Sequence, residues 1–181
     1  MTASRRSILA AAAGGGLVSA GAAGASPPPA TKAAVDSAMA DLFRLFQDSN
    51  AALMRGDIQR YLSLITLTQD FTLMSPFGGK PSRASADMDA QMQAMGRFFR
   101  NGVLQTELVQ AYGSADLVVL AIIERANVEV GGLPAQDWAL RVTLVYRREG
   151  AQWRLAHRHA DPLVAGVSLD EAAALARRKA A

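Results

Sequence analysis

The sequence predicts an α+β domain in which one antiparallel sheet curls around helices gathered on a single face. Three observations carry that expectation. Apolar residues recur at helical spacing in the first half of the chain, and from Val103 to His159 they recur at strand spacing. The strand segments are also joined by connections too short to hold crossover helices.

The first helix is expected from about Ala33 to Arg55, where Val35, Met39, Leu42, Phe46, Ser49 and Leu53 recur at steps of three and four. Gly56 ends it, and Asp57 caps a shorter helix carrying Ile58, Tyr61, Leu62 and Ile65. Phe71-Thr72-Leu73-Met74-Ser75 reads as a strand cut by Pro76 and the Gly78-Gly79 turn. A third helix is expected from Ser85 to about Arg100, with Met88, Met92, Met95 and Phe99 on one side. Four strands follow over 103–112, 117–130, 138–147 and 153–159, separated by Gly113-Ser114, Gly131-Gly132-Leu133-Pro134 and Glu149-Gly150. Ser168 and Glu171 form a capping box for a last helix that runs into Arg177-Arg178-Lys179.

Ahead of these elements, Ser4-Arg5-Arg6-Ser7-Ile8-Leu9 and the Ala/Gly-rich run behind it have the order of a twin-arginine export signal. The run is too short and glycine-rich for the ~20 apolar residues of a membrane span, so it is expected to be an address and not an anchor. Cleavage is expected after Ala25, with Ala22 as the alternative, which divides the chain into a leader over 1–25, a Pro-rich spacer over 26–32, a domain over 33–165 and a C-terminal helix and tail over 166–181. The expected location is therefore periplasmic or secreted. Removing Arg5 and Arg6 from the 19 basic residues leaves 17 against 16 acidic ones, and this near-neutral balance gives a nucleic-acid partner no support. With no cysteine, the domain has neither disulfides nor thiolate metal sites, and its stability has to come from the core.

The order helix, Gly56-Asp57 helix, strand with Ser75-Pro76-Phe77-Gly78-Gly79, helix, and four-strand meander ending in Trp153-Arg154-Leu155-Ala156-His157-Arg158-His159-Ala160-Asp161-Pro162 resembles the SnoaL-like branch of the nuclear transport factor 2 superfamily. The resemblance implies a cone, cystatin-like in fold, whose bent sheet wraps the helices around a cavity. It also implies a range of activities, from ketosteroid isomerase and cyclases to non-catalytic modules, so the fold cannot name a reaction. Against the isomerase pattern, the tyrosine, base and third-strand aspartate positions fall on Ser49, Ser75 and Leu144, and steroid isomerisation of that type is not expected. Asp137 and Arg141, the nearest approach to an epoxide-hydrolase group, fall on the strand face opposite Leu140 and Leu144.

Strand parity puts Trp138, Leu140, Val142, Leu144 and Tyr146 on one face, which the match of Leu144 to the isomerase's cavity position implies is the concave one, and puts Trp153, Leu155, His157 and His159 together on one face of the last strand. The histidine pair admits three readings: a hydrogen-bonded pair with Asp161 fixing a tautomer, acid/base or recognition groups for a small ligand, or a metal site completed by Asp161. No metal or cofactor is expected. The ligand-contacting set is expected to be Ser49, Tyr61, Ser75, Phe77, Trp138, Leu144, His157 and His159, with His157, His159 and Asp161 as catalytic candidates. The expected function is to bind a small, mostly apolar molecule, with an isomerase-, cyclase- or hydrolase-type step open. The alternative is a non-catalytic homodimeric module whose cavity is filled by its own side chains. A homodimer through the convex sheet face carrying Ala139, Arg141, Thr143 and Val145 is expected in either case.

Overall fold

A computed structural model of the chain describes residues 31–84 and 88–177. The expected leader and residues 26–30 of the expected spacer lie outside the described residues. Helix α1 (Lys32–Met54) is capped by Thr31, whose hydroxyl accepts from the Ala34 amide. Gly56 then turns the chain at φ +82°, a conformation that disfavours any side chain. Asp57 caps α2 (Ile58–Leu64), accepting from the Arg60 amide at 3.0 Å.

Strand β1 (Leu67–Met74) starts four residues earlier than the sequence suggested: Thr68 is buried, and an irregularity in the pairing with β6 between Leu67 and Thr72 breaks the simple alternation before Phe71. A two-residue strand, β2 (Ser82–Arg83), pairs with its end. Helix α3 (Met88–Phe98) passes into β3 (Phe99–Gly113) with no loop between them, so Phe99, expected on the helix stripe, is the first strand residue. β4 (Leu117–Val130), β5 (Leu133–Glu149) and β6 (Gln152–Pro162) complete the meander. The β4–β5 turn is only Gly131-Gly132, both at positive φ, and Leu133 and Pro134 belong to β5. The capping box at Ser168 starts α4 (Leu169–Ala176) as expected, and none of that helix is buried.

The sheet is open and six-stranded, in the order β2-β1-β6-β5-β4-β3. The meander is antiparallel throughout, but β1 joins β6 in parallel, a pairing that the long connection through β2, α3, β3, β4 and β5 allows. One face of the sheet is buried against α1, α2 and α3. Val118, Leu120, Ile122, Glu124, Ala126, Val128 and Val130 of β4 all point into it, as do Leu140, Val142, Leu144 and Tyr146 of β5. Phe46 on α1 meets this surface, and its ring stacks on Phe43 at 6.5 Å. The end of α1 crosses the start of β3 so closely that a Cβ on Gly102 would lie 2.7 Å from the Met54 carbonyl oxygen. Met54 and Phe99, beside that crossing, border a space between the helices and the sheet. Among the described residues, no helix is long and apolar enough to cross a membrane.

Candidate functional site

The space lies between the three helices and the concave sheet, with about 60 Å³ open to the centre of a water-sized sphere. A void that just fits one water leaves its centre almost no room to move, so the cavity has room for a small molecule. Its walls are apolar over most of their area: Leu53 and Met54 from α1, Met92 and Met95 from α3, Phe71 and Leu73 from β1, and Leu140 and Leu155 from the sheet. Five polar side chains interrupt them, namely Asn50, Tyr61, Ser75, Glu124 and Arg158.

Glu124 is the most unusual of these, at 1% exposure on the inward row of β4. Arg158 of β6 faces it, and one nitrogen, Nη2, donates to both carboxylate oxygens at 3.3 and 3.4 Å. Burial pushes the Glu124 carboxyl above its ordinary range, and the Arg158 charge opposes that shift without cancelling it. Burial also raises the Tyr61 and Tyr146 phenols, and the Arg158 charge pulls in the opposite direction on both. Both phenols are thereby held neutral. Asn50 is 5% exposed and donates to the Phe46 carbonyl at 3.2 Å.

At the mouth, Phe77 is 53% exposed and packs edge-on against Phe98 and tilted against Trp138, with ring centroids 5.5 and 5.7 Å apart. Ser75 Oγ accepts from the Phe77 amide at 3.2 Å and so fixes the loop that carries this ring. Trp138 is a second wall residue at this end, and its indole N–H is buried with no hydrogen-bond partner among the described residues.

Of the residues singled out from sequence, Tyr61, Ser75, Phe77 and Trp138 lie on the cavity wall. Ser49 and Leu144 are buried nearby but do not line it, and the Ser49 hydroxyl is spent on the Phe46 carbonyl at 3.0 Å. The histidines do not share the concave face of Trp153 and Leu155. Tyr146 pairs with Leu155 but Val145 pairs with His157, so Ala156 is an extra residue and parity reverses beyond it. Arg158 and Ala160 therefore turn inward, while His157 and His159 join the convex face. His157 Nδ1 shares a 2.7 Å hydrogen bond with Thr72 Oγ1 across the β1–β6 pair. Asp161 does not serve the imidazoles, because its carboxylate pairs with Arg141 across β5–β6. Among the described residues, no three His, Asp or Glu side chains stand close enough to hold a metal ion.

The sequence model of the SnoaL-like domain matches residues 43–165. No curated protein matches the chain. A candidate dehydratase of the NTF2-like family from Streptomyces avermitilis is similar at 17% identity and a TM-score of 0.60, over 72% of this chain and 99% of its own. An NTF2-like protein of unknown function from Pseudomonas putida is similar at 22% identity and a TM-score of 0.54, over 75% of this chain and 92% of its own. The association domain of CaMKII from C. elegans reaches 14% identity and a TM-score of 0.52, over 70% and 96%. At these identities the likeness is one of fold.

Proposed function

The chain belongs to the SnoaL-like domain family, and on that premise we propose that its cone cavity binds a small, mostly apolar molecule whose polar group meets Glu124 and Arg158. One observation carries this reading: an apolar cavity reaches a buried ion pair deep in the cone. A filled core would place aliphatic side chains there, since burying such a pair brings a desolvation penalty of several kcal/mol per ion. Pockets that recognise small molecules have this composition, with apolar walls and a few convergent polar groups. If the cavity also catalyses, Glu124 is the residue placed for proton transfer, its carboxyl raised from the ordinary range.

A homodimer through the convex sheet is the second part of the proposal. Half-buried Val119, Ala121, Ile123 and Val145 form an apolar centre on that face. Ion pairs rim it: Arg125–Glu107, Arg141–Asp161 and Arg147–Asp70. Apolar centre and polar rim is the anatomy of a protein interface. The same face favours the rival reading, a purely associating module, and likeness to an association domain fits it equally. Export by the Arg5-Arg6 leader is retained as part of the proposal and places the domain outside the cytoplasm.

Native mass spectrometry of protein purified from its own periplasm addresses both parts at once. We expect a dimer that carries a small added mass, released when the protein is denatured. A dimer of bare chain mass would favour the associating module, and a monomer of bare mass would remove both parts.

A further inference from the structure

Resting on the proposal that the cavity is a ligand site, we infer that its occupant is uncharged, an apolar body bearing one carbonyl oxygen, and that Glu124 is the residue that excludes carboxylates. The donor and acceptor inventory of the wall sets the first half. A guanidinium offers five N–H donors, and Glu124 is held by Nη2 alone instead of by a two-nitrogen fork. Nε and Nη1 are not committed to that carboxylate. The Trp138 indole N–H is a further buried donor with no partner among the described residues, and Tyr61 adds a neutral hydroxyl. The strongest acceptor, Glu124, is already engaged by Arg158. A wall with donors in surplus is completed by a molecule that brings an acceptor.

Charge balance sets the second half. Arg158 is the sole cation among the described residues lining the cavity, and Glu124 neutralises it. The other groups facing the pair are neutral: Asn50 from α1, Tyr61 from α2 and Tyr146 from β5. Their side chains are 5, 9 and 6% exposed, so water does little to screen the pair. A carboxylate entering this space would set two anions against one cation between apolar walls, where an uncompensated charge is costly. A ketone or ester oxygen takes the free guanidinium donors without disturbing the pair. Glu124 thus acts as a specificity residue through the charge it cancels.

The test uses the whole chain at pH 7 and three probes of similar shape: cyclopentyl methyl ketone, cyclopentanecarboxylate and isopropylcyclopentane, titrated by ligand-observed NMR. The wild type should bind the ketone at least about tenfold more tightly than either of the others, the worth of one charge-assisted hydrogen bond. Glu124→Gln should invert the order and favour the carboxylate, and Glu124→Gln with Arg158→Met should lose most of the preference for ketone over hydrocarbon while still rejecting the carboxylate, which then has no counter-charge. A wild type that prefers the carboxylate overturns the inference, as does equal binding of ketone and hydrocarbon. The wild-type ranking decides this even if Glu124→Gln does not fold. Failure of all three probes to bind the wild type would instead remove the ligand-site proposal beneath it.

Discussion

Replacing Arg158 with methionine is expected to destabilise the domain by about 3–5 kcal/mol at neutral pH, the range for removing one partner of a buried ion pair. Glu124 would be left in an apolar cavity at 2% side-chain exposure with no counter-charge. Protonation is its only relief, which makes the loss depend on pH. Burial already raises the Glu124 carboxyl above the ordinary value of 4.5, and Arg158 is what opposes that rise. The folded state therefore holds this proton more tightly than the unfolded state, so Glu124's contribution to stability is greatest below 4.5 and is lost as pH rises through the folded value. Without Arg158 the folded value climbs further, the loss spreads over a wider pH window, and the gap from wild type widens upward. Urea denaturation at pH 5 and pH 8 measures it. A variant as stable as wild type at pH 8 would show that the pair is not buried as described. Adding Glu124→Gln should recover most of the loss, because the stranded charge is gone.

Phe46→Ala should cost about 3–5 kcal/mol, with no dependence on pH. Phe46 is 2% exposed, at the point where α1 meets the sheet, and its removal leaves a cavity in that packing. The expected shift in thermal midpoint is at least about 10 °C for a domain of this size. A loss below about 1 kcal/mol would mean that α1 does not cover the concave face.

The fold was legible because its signals are local and agree with one another. The α1 stripe, the Gly56-Asp57 stop and start, the alternation along β4 and β5 and the Ser168 capping box each specify one element. The parallel β1–β6 pair was not, since nothing in either strand records which neighbour it takes. At the site, Tyr61, Ser75, Phe77 and Trp138 were reachable from periodicity and position. Glu124 could have been found by the same parity rule, as the lone carboxylate on an inward row running Val118, Leu120, Ile122, Ala126. Arg158 could not. One extra residue at Ala156 reverses every later side chain, and an alanine in a strand carries no mark of a bulge. That reversal exchanged two histidines for an arginine, and with them the chemistry assigned to the cavity.

The claim that this cavity is a ligand site has built-in reporters. Met54, Met92 and Met95 line it, whereas Met39 packs near Gly113 and Met74 is 43% exposed outside it. With methionine methyl groups labelled with ¹³C, titration by cyclopentyl methyl ketone should shift the Met54, Met92 and Met95 signals and leave Met39 and Met74 in place. The same pattern should persist in His157→Ala, since that imidazole faces away. Shifts confined to Met39 or Met74, or no shift at millimolar ketone, would contradict the account.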